Sequence, residues 1–410
     1  MKFGFGHDYL EGGKLIPTAP GLAELWTLDP HVDFLNHGSF GACPTAVQEE
    51  QRRWMTRLER QPVDLLDREL GRELRRVREH LGSLLGANAD DLALLTNATE
   101  GVGCVLRSLD WRRDDEVLVI DHAYNACKNA AETELARFGG RVREVAVPFP
   151  LSDPSEVIDA VLQGINNHTR LVMIDHITSP TGLVLPVNEI VAAVQAMGVD
   201  VLVDAAHSPG QVPVDLTQLG AAYWTGNCHK WLCAPKGTAV LHVRPDRQHL
   251  VRPLIISHGA NRRAVGQSQF RADFDWTGTR DPSGWLTLPA AVEFLTTLYP
   301  GGLAELQRRN RELVLYGRDL LCQSLGTTAP APDSMVAQMA SVVLPRQIQP
   351  TGGEGDSDAL HLWLRHEKSI EVPVFAWRGQ RLLRISAQAY NSKAQYERLA
   401  AVLAQQLAMA

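Results

Sequence analysis

Short apolar runs alternate with amphipathic segments through the middle of the chain. Residues 116–120, 141–147, 171–175, 199–204 and 238–243 are apolar runs of strand length. Between them, residues 129–138, 154–164 and 187–197 carry helical spacing. In the last of these, Ile190, Val191, Val194 and Met197 fall on one face. Strand, helix, strand in this rhythm predicts an α/β fold with a mainly parallel sheet, and such sheets bind ligands beyond the carboxyl ends of their strands. Helices are also predicted over 45–58 and 67–85. After Trp285 the pattern changes to long helices, broken at Pro300-Gly301-Gly302, and then to mixed strands and helices. The Pro, Gly and Gln content of 345–358 predicts a surface loop. The expected organisation is an N-terminal segment (1–45) associated with the small domain, a large domain (46–290) and a small C-terminal α/β domain (291–410).

Composition narrows this little. A chain of 410 residues is longer than one hydrophobic core usually serves. The net charge of -7 argues against nucleic acid as a main partner. The six cysteines, at 43, 104, 127, 228, 233 and 322, form no CxxC pair, which suits reduced thiols in a cytoplasmic protein. Met1 to Asp8 lacks the apolar core of a signal peptide, and no stretch is long and apolar enough to span a bilayer, so no membrane partner is expected.

The chemistry concentrates at strand ends. Val201-Leu202-Val203 runs into Asp204, and an ionised acid there is costly unless partnered. Lys230 follows in Gly226-Asn227-Cys228-His229-Lys230-Trp231. An acid ending a buried strand and a lysine beside a histidine suit pyridoxal phosphate. The amine forms a Schiff base with the cofactor aldehyde, and the carboxylate keeps the pyridine nitrogen protonated. His207, three residues after Asp204, can reach the phenolic oxygen, and Asn227 and His229 can reach phosphate. Thr99 is a plausible N-cap for a helix whose free amides suit a phosphate, although an ordinary capped helix would read the same. His122, after the strand at 116–120, could stack on a ring or merely close a strand. In Thr178-Ser179-Pro180-Thr181-Gly182 the hydroxyls could touch cofactor or substrate, or the segment could be a plain turn.

Five motifs in order carry a resemblance: Asn36-His37-Gly38, Asp204-Ala205-Ala206-His207, Gly226 to Lys230, Thr277-Gly278-Thr279-Arg280, and Arg384-Ile385-Ser386-Ala387-Gln388. Each is weak alone. Together, over residues 30–400, they resemble the class V aminotransferase family of fold type I pyridoxal phosphate enzymes. The resemblance implies a fold with a mainly parallel, seven-stranded-type sheet and a small α/β C-terminal domain. It implies Lys230 as the Schiff-base lysine, Asp204 at the pyridine nitrogen, His207 at the phenolic oxygen and His122 stacked on the ring. Ala98, Thr99 and His229 would hold phosphate, with Asn227 where many relatives carry serine. Ser179 would touch the cofactor or the substrate carboxylate. Arg384 would clamp that carboxylate, with Asn36 and His37 nearby. A homodimer is implied, with Gly278 and Thr279 reaching the neighbouring subunit's phosphate.

Cysteine desulfurases of this family need a reactive cysteine shortly before the carboxylate-binding arginine, and residues 369–379 hold none. The flanks of Lys230 and the segment Trp276 to Pro282 resemble isopenicillin N epimerase-like proteins. The first expectation is therefore epimerisation of an amino acid at its α-carbon, with Lys230 taking the α-proton and Tyr124, His37 or water supplying one from the other face. β-Elimination of a cysteine derivative and transamination share the α-carbanion and stay open, as does a non-catalytic cofactor-binding protein. Phe375, Trp377 and Arg378 are candidates for the pocket of the substrate side chain.

Overall fold

The computed structural model describes residues 21–354 and 357–408, so Met1 to Asp8, read above for a leader, lies outside the described residues. The strands are β1 (Asp33–Phe34), β2 (Leu92–Leu95), β3 (Glu116–Ile120), β4 (Arg141–Val145), β5 (Thr169–Asp175), β6 (Asp200–Asp204), β7 (Tyr223–Asn227) and β8 (Ala239–Val243). Then come β9 (Met339–Val343), β10 (Gly353–Glu354), β11 (Ser357–Asp358), β12 (Ile370–Glu371), β13 (Val374–Trp377) and β14 (Gln380–Ser386). The helices the argument uses are α1 (His37–Phe40), α2 (Thr45–Arg60), α3 (Leu70–Leu85), α4 (Ala98–Ser108), α5 (Asn125–Ala136), α6 (Ser155–Gly164) and α7 (Val187–Ala196).

Seven strands form one sheet in the order β2-β8-β7-β6-β5-β3-β4, and only β8 runs against the rest. Its inner strands are largely apolar on both faces because both faces are covered, whereas the edge strand β4 is charged and exposed. Leu118, Ile120, Val172, Ile174, Val201 and Val203 enter one core, backed by α3, α6 and α7. The alternate residues Val117, Val119, Leu171, Met173 and Leu202 enter a second core with α4 and α5. A separate core gathers on the three-stranded antiparallel sheet β13-β14-β9, and β1 pairs in parallel with β12 beside it. The stretch predicted as a loop over 345–358 contains the short β10-β11 hairpin.

Register fixes where the polar groups lie. β5 and β6 pair Asp175 with Asp204, and β6 and β7 pair Asp204 with Thr225. The last residues of β5 and β6 thus lie side by side at one edge of the sheet, with Thr225 of β7 beside them. Among the described residues, no helix is long and apolar enough to cross a membrane.

Candidate active site

Lys230 lies three residues beyond β7, on a loop braced from α1. His37 Nε2 is 3.0 Å from the Lys230 carbonyl oxygen, and His37 Nδ1 is 2.8 Å from the Tyr390 hydroxyl. Gly41, at φ +71°, passes so close that any Cβ would strike the carbonyls of His229 and Lys230. The Lys230 Nζ stands 3.2 Å from His207 Nε2. Burial, with Arg384 adding repulsion, lowers the amine from 10.5 to about 8. A usable fraction is therefore neutral near pH 7, as a nucleophile or base requires.

Asp204 is 3% exposed. Its Oδ1 accepts from the Ala206 amide at 3.0 Å, and its Oδ2 accepts from the Cys127 thiol, also at 3.0 Å. Burial raises both Asp204 and its neighbour Asp175, and for Asp175 the Asp204 charge adds to the rise. Among the described residues, no arginine or lysine forms an ion pair with either acid. The Lys230 charge favours ionising both, but two adjacent buried acids with no direct ion pair remain expensive unless a further charged N–H arrives to meet them. A protonated pyridine nitrogen is such a group, so this pocket fits pyridoxal phosphate at that end.

The phosphate end lies at the start of α4. Thr99 was expected to cap this helix, but Asn97 does so, its side chain accepting from the Glu100 amide at 2.8 Å. Asn is the better cap by type, and Asn97 has the extended backbone a cap needs. The Ala98 amide donates to Asn227 Oδ1 at 2.8 Å, which ties β7 to the helix start. That leaves the Thr99 amide without a protein acceptor and Asn227 Nδ2 as the carboxamide end free to donate. His229 Nδ1 bonds the Thr238 carbonyl at 2.9 Å, so its Nε2 faces away from that bond. Burial holds His229 down at about 4. A bound phosphate would raise it, because an anion favours the imidazolium.

Arg384, on β14, is 5% exposed. It donates to the Ser179 carbonyl, to Ser179 Oγ at 3.3 Å and to Ser39 Oγ at 3.1 Å, while its Nε has no partner. The other expected residues sit differently. Asn36 is spent on Glu371 and Ser39, and His37 is fully buried behind the lysine loop, so neither offers a free side chain to substrate. His122 is also fully buried. Its Nδ1 meets Thr181 Oγ1 at 2.8 Å and its ring packs edge-on with Phe149 and Trp377. The open aromatic face at this strand end belongs to Tyr124, 43% exposed and electrostatically in reach of Asp204 and Arg384. Thr178 and Thr181 bond each other, which leaves Ser179 as the hydroxyl of that turn facing Arg384. Among the described residues, no hydrogen bond or ion pair joins Gly278 or Thr279 to the groups around Lys230. Sequence reasoning did not find Cys127, Asp175 or Ser39. Only the cross-strand pairing of two strand-ending acids could have exposed Asp175, and nothing local marks the others.

The sequence matches Aminotransferase class-V over residues 43–399. It is 34% identical to the probable L-cysteine desulfhydrase, chloroplastic, of Arabidopsis thaliana, over 90% of this chain and 82% of that protein. It is 33% identical to the isopenicillin N epimerase of Streptomyces clavuligerus, over 92% of this chain and 95% of that protein. Among solved structures, the cystine C–S lyase C-DES in complex with cysteine persulfide superposes with a TM-score of 0.76 at 23% identity, over 92% of this chain and 98% of that one. That likeness supports the fold. With the match over most of its length and a pocket built as described, the chain belongs to the class V aminotransferase family and is a pyridoxal phosphate-dependent enzyme of fold type I.

Proposed function

We propose that the enzyme is a C–S lyase, removing the sulfur substituent of a cysteine-type amino acid by β-elimination. The observation that carries this reading is that the buried Lys230 amine, lowered to about 8, is a base suited to the α-proton, whereas burial pushes the Tyr124 hydroxyl up and away from that role. The imidazoles nearest Lys230 are already engaged: His37 on Tyr390 and the lysine carbonyl, His207 on Trp231 and Lys230. Elimination needs a single base to take the α-proton, and inversion needs a second group on the other face. Pyridoxal phosphate, when bound, would supply an electron-withdrawing ring that makes the substrate α-proton acidic. Lys230 then takes and holds that proton at Nζ. Asp204 pairs with the pyridine nitrogen, and Cys127 and the Ala206 amide orient its carboxylate. The Thr99 amide, Asn227 Nδ2 and His229 hold phosphate, and Ala98 keeps Asn227 turned. The open face of Tyr124, in place of His122, covers the ring. Arg384 binds the substrate carboxylate, steadied by Ser179 and Ser39. The desulfhydrase name of the Arabidopsis relative agrees with this reading.

A second reading, epimerisation, is favoured by the Tyr124 hydroxyl. It is half-exposed and, among the described residues, makes no hydrogen bond, so it could return a proton from the opposite face. The Streptomyces relative carries that name. One experiment separates the two. Incubation with L-cysteine or cystine, coupled to lactate dehydrogenase and NADH, is expected to report pyruvate. Y124F keeps the aromatic face and loses the hydroxyl, so pyruvate formation should persist. Solvent deuterium uptake with loss of optical purity and no keto acid, and in Y124F deuterium uptake without loss of optical purity, would replace the lyase reading with the epimerase.

The working unit is proposed to be a homodimer in which Gly278 and Thr279 reach the neighbouring subunit's phosphate. Leu254, Ile255 and Ile256, exposed on the segment before Gly278, are apolar surface that such a contact would cover.

A further inference from the structure

The residue after the lysine has an assignable task of its own. Trp231 is 1% exposed, packed on Ile177 and Met339 and tilted against the His37 ring at 4.9 Å. Its indole position is therefore fixed. Its Nε1–H points at His207 Nδ1 at 3.4 Å, a long hydrogen bond, while the other ring nitrogen of His207 stands 3.2 Å from Lys230 Nζ. Indole can only donate, so Nδ1 must accept. A neutral imidazole with an accepting Nδ1 carries its proton on Nε2.

We propose that Trp231 is a positioning residue that locks His207 in the Nε2–H tautomer, so that His207 donates toward the lysine amine and toward whatever oxygen later occupies that place. This deepens the role given to His207 above and rests on that reading only for the oxygen.

The surroundings agree. His207 is 2% exposed, and burial, with the cations Lys230 and Arg384 and the titratable His229 facing it, keeps it neutral. Its backbone carbonyl is held by Gln211 Nε2 at 2.8 Å, which fixes the main chain that carries the ring. The tautomer also acts on Lys230. An ammonium at Nζ has only donors, and an Nε2–H opposes it, whereas a neutral amine can accept from that N–H. Trp231 thereby disfavours the protonated lysine through His207. With W231F, His207 is free to move its proton to Nδ1 and accept from the ammonium at Nε2. The basicity of Lys230 then rises by about the worth of one hydrogen bond, roughly a tenfold fall in the neutral fraction near pH 7.

The test uses the ligand-free full chain with ¹⁵N-labelled histidine. Long-range ¹⁵N–¹H correlation distinguishes the tautomers, and loss of a signal in His207→Gln assigns it. Protonated Nε2 with unprotonated Nδ1 is expected. The reverse pattern in the native protein overturns the proposal, and this holds even where W231F fails to fold. In folded W231F the pattern should shift toward Nδ1–H, and the pH profile of Lys230 acylation should move up by about one unit. An unchanged tautomer together with an unchanged profile removes the role from Trp231. Because neither readout involves cofactor, both can succeed or fail independently of the proposed lyase activity.

Discussion

Lys230 owes its chemistry to burial, and burial leaves a trace in stability. Its amine is lowered from 10.5 to about 8. Between those values the unfolded chain still binds the proton that the folded chain has lost, so stability rises with pH across that window. The rise in ligand-free protein due to this group is roughly 3 kcal/mol. Denaturant titrations from pH 8 to 10.5 should show it in the native protein and lose it in K230M, whose apolar side chain fills the same space. Equal slopes in the two proteins would mean the amine is not desolvated. At this scale the sequence was readable where a residue announces a cost: Asp204 at the end of an apolar strand, Lys230 between aromatic neighbours. It was not readable where a role depends on which face a side chain turns. His122 and Tyr124 are two residues apart, and only packing shows that the first is sealed in and the second open.

Elements set the distances between the functional ends. Helix α4 lies on β7 at Gly101, where any Cβ would overlap the Thr225 side chain. Gly101→Ala therefore pushes the start of α4 outward and separates Ala98 from Asn227. Overpacking of this kind costs about 1–3 kcal/mol. Cofactor affinity, followed by fluorescence titration, should fall along with the melting temperature, whereas loss of stability alone would place the phosphate elsewhere. The hairpin of β13 and β14 shows a different use of backbone. Arg378 and Gly379 at its tip both have positive φ, at 48° and 76°, a conformation normally left to Asn and Gly. Arg378 is ion-paired with Asp121 beyond β3, which joins the hairpin to the large sheet, and Trp377 packs on His122. The sequence marked Trp377 and Arg378 only by their place before Arg384, because the side chains that hold them come from more than two hundred residues away.

Across the whole molecule, legibility followed period. Strands buried on both faces and helices with clear spacing were found nearly to the residue, as at 116–120 and 155–164. β7 was not singled out, because Tyr223-Trp224-Thr225-Gly226-Asn227 mixes aromatic, hydroxyl and glycine positions and lacks an aliphatic run. The strand order and the reversed β8 were beyond local pattern altogether. If the site is completed by a second copy, sedimentation should give twice the mass of 45.1 kDa. Charged substitutions at Ile255 and Ile256 should then yield monomers that retain cofactor poorly, and a native monomer with full cofactor retention would end the dimer proposal.

The central claim is that Lys230 is the residue that carries pyridoxal phosphate and moves the α-proton. Borohydride reduction of the fully loaded enzyme, followed by digestion and mass mapping, reads it directly. One pyridoxyl adduct is expected, on the peptide containing Lys230. An adduct on Lys236 or on any other lysine, or none in loaded protein, would contradict it.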